Sequence, residues 1–270
     1  MNDQVTSGPA RLLAHFDRVM REQARPESPG VRVERAGDVV RQVGVAHAWN
    51  GVVWSAPDLD AARADAAVAE QVAHCERTGC EEFEWKLYGH DRPADLGARL
   101  LAAGFEAEEP ETLLVARVAE LATEVRLPQG VRLEEVRDEA GAELMARANE
   151  RAFGRDGSWL RRLVLDRLRE DPEHFVALVA MAGDEPVSSA RMELYPGTGF
   201  AGLWGGGTDP AWRGRGVYRA LVAFRAGVAA ERGYDHLQVD ATEDSRPILE
   251  RLGFTALTTT TPYVYRPTRT

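Results

Sequence analysis

Apolar positions along this chain alternate between two periods, and the order in which the periods appear repeats. Between 60 and 78, Ala61, Ala64, Val68 and Val72 mark one face of a helix that closes before Gly79. Residues 82–88 switch to a period of two, with Phe83, Trp85 and Leu87 on one face, which predicts a strand. Residues 95–105 read as a helix ending in Gly104-Phe105, and 109–118 have strand composition. The second half begins after Pro128-Gln129-Gly130 with a predicted strand at 131–136, helices at 138–153 and 158–168, and an apolar strand at 175–181. The tight turn 183–185 leads into a strand at 187–194, and 200–208 forms another. A helix over 216–231 then shows an apolar stripe at Val217, Leu221, Phe224 and Val228 and a capping glycine at Gly233. After a strand at 236–241, a segment from Ser245 ends in Leu252-Gly253-Phe254, and 255–266 again has β-propensity. Helix, strand, helix, Gly-Phe and strand thus occur twice in the same order.

Between the strand at 200–208 and the helix from 216 lies a glycine- and arginine-rich loop: Gly205, Gly206, Gly207, Thr208, Asp209, Pro210, Ala211, Trp212, Arg213, Gly214, Arg215, Gly216. The first N–H groups of a helix lack intrahelical acceptors and carry the positive end of the helix dipole, so this loop reads as an anion cradle. It is not a P-loop, because no Lys-Ser or Lys-Thr follows a glycine run. Nor is it a dinucleotide fingerprint, because Gly214-Arg215-Gly216 is followed by Val217, Tyr218 and Arg219 with no third glycine.

The remaining pattern, Arg213 with Gly216 and then Tyr218 at a usually small position, resembles the acyl-CoA pyrophosphate loop of the GNAT superfamily of N-acetyltransferases. The helix after it, the strand at 236–241 and the Leu252-Gly253-Phe254 ending follow in that family's order. In the first half the corresponding turn is Ser55-Ala56-Pro57-Asp58-Leu59-Asp60, whose aspartates cap a helix and repel a pyrophosphate. The chain therefore resembles a tandem GNAT protein with a degenerate first domain. The expected fold class is α/β (α+β), with two domains, each a mixed, largely antiparallel central sheet flanked by helices. The expected divisions are an extension over 1–27, the degenerate domain over 28–125 and the catalytic domain over 126–270.

The resemblance implies acetyl-CoA as cosubstrate and direct attack by an amine, without an acyl-enzyme. Main-chain groups of Gly206, Gly207 and Thr208 are expected along the pantetheine arm. Arg213, Gly214, Arg215, Gly216, Val217 and Tyr218 are expected at the pyrophosphate, with Ser245 nearby. Many members place a tyrosine four residues before the last glycine to protonate the leaving thiolate, and here that position is Leu249. Tyr218 is the substitute candidate, with Tyr263 and Tyr265 expected to be structural. Glu193, Asp240 and Glu243 are the candidate carboxylates for proton acceptance. Acceptor contacts are expected from Phe153, Asp156, Trp159 and Trp204.

Composition narrows the partners. The net charge of −10 disfavours duplex nucleic acid and anionic membranes, whereas 211–232 hold five arginines and one acid, an island suited to a small polyanion such as CoA. No apolar run approaches membrane-spanning length and the start Met1-Asn2-Asp3-Gln4 is polar, so a bacterial cytoplasmic location is expected. In a reducing compartment Cys75 and Cys80 are expected as free thiols, and no metal site is expected. The expected acceptor is a small-molecule primary amine, and the protein a monomer or homodimer. Two alternatives compete: transfer from an aminoacyl-tRNA, which the acidic charge disfavours, and a non-catalytic CoA-sensing module.

Overall fold

The computed structural model describes residues 8–26, 30–44 and 49–267, and its contacts divide the chain into two compact units. The first unit takes the described residues up to Leu114 together with 240–247 and those from Thr255 on; the second takes Val115–Val239 and Ile248–Phe254. The units therefore do not follow a single cut near 125. The strand at 255–266, expected to close the second domain, is β12 (Thr255–Tyr265), and it pairs antiparallel with β4 (Phe83–Tyr88), setting Thr260 opposite Tyr88 and Tyr265 opposite Phe83.

In the first unit β1 (Arg32–Ala36), β2 (Val39–Val43) and β3 (Gly51–Ser55) are successively antiparallel, β3 runs parallel to β4, and the short β5 (Glu106–Ala107) pairs with β12 ahead of β6 (Glu111–Arg117). Helix α2 (Ala61–Thr78) makes the crossover that a parallel pair requires. Its small and branched residues Ala64 and Val68 pack with Phe83, Trp85 and Leu100 of α3 (Leu96–Ala102), so the odd positions of β4 build this core. Glu84, Lys86 and Tyr88 consequently face the other way. There Arg21 lies 3.7 Å from the centre of the Tyr88 ring and is buried. It sits in a π-helical segment, Asp17–Glu22, that continues α1 (Gly8–Phe16), so the described part of the expected extension is a packed element of this unit. Arg21 donates to both oxygens of Asp91 at 2.8 Å, to Asp17 at 2.7 Å and to the Val53 carbonyl at 2.9 Å, so its buried charge is paired and hydrogen-bonded.

Cys75 and Cys80 correct the free-thiol expectation: they form a disulfide, with Cα atoms 5.1 Å apart. The left-handed Gly79 at the end of α2 turns the chain back so that the Cys80 N–H reaches the Cys75 carbonyl, which brings both Cβ atoms within bridging range.

The second unit repeats the strand pattern. β7 (Val131–Glu135), β8 (Phe175–Ala182), β9 (Glu185–Leu194) and β10 (Phe200–Thr208) are successively antiparallel, and β10 runs parallel to β11 (His236–Ala241) with α6 (Val217–Glu231) as the crossover. Helices α4 (Glu139–Phe153) and α5 (Ser158–Glu170) cover the face presented by Phe175, Ala177, Val179 and Met181. Val217 of α6 packs with Ala180 on the opposite face. After α3, the Phe105 N–H bonds the Leu100 carbonyl; after α7 (Arg246–Arg251), the Phe254 N–H bonds that of Leu249, both at 3.1 Å. Gly104 and Gly253 supply the positive φ that this ending needs, so the Gly-Phe repeat is one C-terminal capping device used twice.

Gly157, between α4 and α5, has no room for a side chain: an added Cβ would lie 2.7 Å from the Ala146 carbonyl oxygen and 3.1 Å from its carbon. Gly157→Ala is expected to destabilise the protein by about 1–3 kcal/mol, because the obstacle is backbone. Urea unfolding followed by circular dichroism measures this, and an unchanged midpoint would contradict it.

Candidate functional site

The end of β10 is anchored by polar contacts. Ser188 Oγ donates to the Gly207 carbonyl at 2.6 Å and lies 2.8 Å from Thr208 Oγ1, while Asp209 Oδ1 accepts from the Ala211 N–H at 2.8 Å. Arg213, expected at the pyrophosphate, turns back onto the scaffold: Nε donates to the Thr208 carbonyl and Nη2 to that of Ala152, each at 3.1 Å. It fastens the strand end to α4. Arg215 stacks over Trp212 at 4.9 Å and is exposed, as is Arg219.

Beyond this anchor the chain leaves an opening. Gly214 and Gly216 have φ of 73° and 88°, and a Cβ added at either would meet nothing within 4 Å. Gly216 occupies the position before α6, and no side chain caps the helix. The equivalent turn of the first unit is closed: Asp60 Oδ1 accepts from the Arg63 N–H at 2.9 Å, and Arg63 pairs with Asp38 at 2.5 Å and Asp58 at 3.4 Å. An uncapped helix start flanked by left-handed glycines fits an anionic phosphate group; the aspartate-filled one does not.

Beside the opening, β10 loses register with β9 between Trp204 and Gly207, and Gly205 has φ of 58°. This bulge has aromatic side chains on both faces. A Cβ on Gly206 would come within 2.8 Å of the Tyr218 ring, and one on Gly207 within 2.5 Å of the Phe153 ring. The strand glycines thus admit two rings from α6 and α4. Burial pushes the Tyr218 phenol above its ordinary range, and the positive charge of Arg225 opposes the shift. Trp159 and Trp204 each lie just under 6 Å from the Arg191 guanidinium, which joins them in one patch with the bulge. Phe153 and Trp159 are among the exposed large apolar side chains. Asp156 is occupied locally: it accepts from the Ser158 N–H and hydroxyl, and these bonds lower its pKa.

Two of the three expected carboxylates, Glu193 and Asp240, are held by cations. Glu193 is buried on β9, 2.8 Å from Arg167 of α5 and 3.7 Å from Arg191. Asp240 belongs to the first unit, where its Oδ2 takes the Lys86 ammonium. Burial and the charges of Asp240 and Glu84 push neighbouring Glu111 up to about 7, while Lys86 opposes them. Ser245 also belongs to that unit and donates to the Thr242 carbonyl at 3.3 Å. Glu243 is exposed, and Leu249 is fully buried core. Tyr263 Oη lies where a Cβ on Gly97 would stand, and Tyr265 Oη donates to Glu76 at 3.0 Å, so both are packing residues.

Three groups escaped the sequence pattern. The alternation of β4 that placed Phe83 and Trp85 inward could have flagged Lys86 on the other face. Arg191 gave no signal. Arg225 was counted in the positive island, but it is 1% exposed and lies within the buried ladder Val217, Leu221, Arg225, Ala229. Phe224 and Val228, expected in the apolar stripe, are only partly buried. Arg232 donates to the Glu173 carbonyl, so the exposed part of the island is smaller than its arginine count implies.

Among the described residues no helix is long and apolar enough to cross a membrane, and no group of three or more His, Cys, Asp or Glu is placed to hold a metal ion. Residues 134–254 match the profile of the acetyltransferase (GNAT) family. A mycothiol acetyltransferase from a Nocardioides species is 27% identical over 198 residues, 65% of this chain and 67% of its own length. A GCN5-related N-acetyltransferase from Kribbella flavida superposes with a TM-score of 0.69 at 20% identity, covering 93% of this chain and 95% of its own. A tandem GNAT protein from the clavulanic acid biosynthesis pathway superposes with a TM-score of 0.61 at 14% identity over 99% and 97% of the two chains.

Breaking the buried Glu193 pair should cost more than removing it whole. Arg167→Met is expected to destabilise by about 3 kcal/mol, and adding Glu193→Gln to recover part of the loss, because the buried carboxylate, left with only the longer Arg191 contact at 3.7 Å, disappears. A double-mutant cycle in urea reads this; strictly additive effects would overturn it.

Proposed function

We propose, from the match of residues 134–254 to the acetyltransferase (GNAT) family, that this chain transfers an acetyl group from acetyl-CoA to a primary amine of a small molecule. The observation that carries this reading is the difference between two equivalent helix starts: α2 is filled by its own Asp60, whereas α6 is left open at Gly216. Its first-turn N–H groups from Val217 on would hold the pyrophosphate, with Gly214 and Gly216 giving the backbone its close approach and Arg215 and Arg219 adding exposed charge. The main chain of Gly206, Gly207 and Thr208 would run beside the pantetheine arm. Acetyl-CoA supplies the thioester carbonyl that the amine attacks.

Tyr218 is read as the proton donor to the departing sulfur, since buried Leu249 has no proton to give. Glu193 and Asp240, each clamped by a cation, are read as anchoring groups, with the amine's proton passing to solvent after attack. Phe153, Trp159 and Trp204 offer the acceptor an aromatic wall beside the bulge, and Asp156 would act through the α5 start. The resemblance to mycothiol acetyltransferase makes that enzyme's acceptor a natural member of the amine panel to be assayed.

Gly216→Glu places a negative charge at the helix start and a side chain at a positive φ. It is expected to weaken acetyl-CoA binding about 100-fold, roughly 3 kcal/mol. Calorimetric titration checks this, and wild-type affinity in the variant would remove the loop assignment. Failure of the unaltered protein to bind acetyl-CoA would instead favour the aminoacyl-tRNA alternative. Tyr218→Phe is expected to lower kcat in a thiol-release assay about 100-fold or more at unchanged acetyl-CoA affinity. Full turnover in that variant would return Tyr218 to a packing role, and binding without thiol release across the panel would favour a CoA sensor.

A further inference from the structure

Three arginines are buried among the described residues, and one of them has no carboxylate. Arg21 holds Asp17 and Asp91, and Arg41 holds Glu34. Arg225 donates Nε to the Leu221 carbonyl and Nη1 to the Arg191 carbonyl, both at 3.0 Å, and Nη2 is buried with no acceptor. A desolvated guanidinium with no counter-charge is costly, and a neutral side chain of similar size would fill the space at lower cost. Its positive charge therefore calls for an explanation beyond packing.

The neighbour that explains it is Tyr218. The two stand seven positions apart on α6, two turns along the same face, and helical side chains lean toward the helix start, which tilts Arg225 toward Tyr218. The Tyr218 ring lies against Gly206 of β10, while Arg225 bonds β9, the strand beside it. The other charged groups around α6 are accounted for. Strands β8 and β10 carry no ionisable side chains. On β9, Glu185 pairs with Arg151 of α4, and Glu193 pairs with both Arg191 and Arg167 of α5. Arg215, Arg219 and Glu120, the last in the turn packed near α6, are exposed. Arg225 and Tyr218 also influence each other's protonation. Burial lowers the guanidinium to about 10 with Tyr218 opposing, which leaves it charged at neutral pH.

We propose that Arg225 is the electrostatic partner of Tyr218, its buried charge stabilising the phenolate that remains when Tyr218 gives up its proton in acetyl transfer. This rests on the reading of Tyr218 as proton donor. As the nitrogen–carbon bond replaces the carbon–sulfur bond, the bonding pair leaves with sulfur. Tyr218 Oη gives sulfur its proton, and the phenolate regains one from solvent. Arg225 stays protonated throughout and touches no reacting atom, so it is a positioning residue.

The test is made on the free, full-length protein. Difluorotyrosine, whose phenol ionises near neutral pH, is placed at position 218 and titrated by absorbance in the wild-type, Arg225→Met, Arg225→Gln and Arg225→Lys backgrounds. The neutral variants are expected to raise the phenol ionisation by about one pH unit or more, as loss of a close opposite charge does, while Arg225→Lys keeps it near the wild-type value. With unmodified Tyr218, the basic limb of the kcat profile is expected to move up in the same two variants. If Arg225→Met does not fold, Arg225→Gln carries the comparison. An unchanged ionisation in the folded neutral variant would overturn the proposal. Failure of the proton-donor reading is distinguishable, because it appears as full turnover in Tyr218→Phe whatever the titration gives.

Discussion

The first turn of α6 has backbone N–H groups that its own helix cannot satisfy, and the candidate site is organised around that constraint. Every helix start must place such donors against a side chain, water or a ligand. At α2 the chain supplies Asp60 at the required reach, and Arg63 with Asp38 locks it there. At α6 it supplies Gly216, which has nothing to offer and a φ that a side chain would oppose. Around that omission the scaffold is rigid: Ser188 and Arg213 fix the strand end, and Arg213 ties it to α4. The loop is thus held open by bonds made just outside it, and Arg213 contributes by positioning the backbone.

The same contrast recurs in the treatment of buried charge. Arg21 is desolvated, but four donor contacts and two carboxylates surround it, so it serves as a staple between the π-helical segment and its unit. Arg225 is equally desolvated and makes two backbone bonds with no carboxylate at all. A staple is most stable when its charge is cancelled, whereas a charge intended to act on a neighbouring group must be left uncancelled. The glycines of β10 belong to this arrangement, because a side chain on Gly206 would meet the Tyr218 ring at 2.8 Å.

Periodicity made the strand–helix order, the Gly-Phe capping device and the open loop legible, because each depends on local geometry that a few residues dictate. The alternation of Phe83, Trp85 and Leu87 defined the core face of β4 for this reason, and Gly104 and Gly253 announced their helix endings through the φ values they permit. Local pattern could not tell which strand β12 would join, since Thr- and Val-rich sequence suits any sheet edge and pairing is a non-local choice. The disulfide was not legible from compartment and cysteine count, whereas Gly79 brings Cys75 and Cys80 together irrespective of both. Arg225 was missed because an arginine in a sequence is assigned to the surface by default, and only the 217, 221, 225, 229 ladder shows that the buried face runs through it.

Repetition of one architecture also explains why the two halves could differ at their helix starts without differing in shape. The antiparallel strands, the parallel pair with its crossover helix and the capped last helix depend on apolar faces and glycine positions, and both copies keep these. Anion binding depends on what occupies the few residues before one helix, which carry little of the core. Asp60 strengthens the start of α2 by roughly 1 kcal/mol as an N-cap, while Gly216 forgoes that gain at α6. A helix that gives up its cap in a scaffold otherwise well bonded is stabilised fully only when something else meets its N–H groups. The missing cap at α6 is therefore an energetic opening for an anion, and the filled one at α2 explains why the first unit, with the same fold, lacks it.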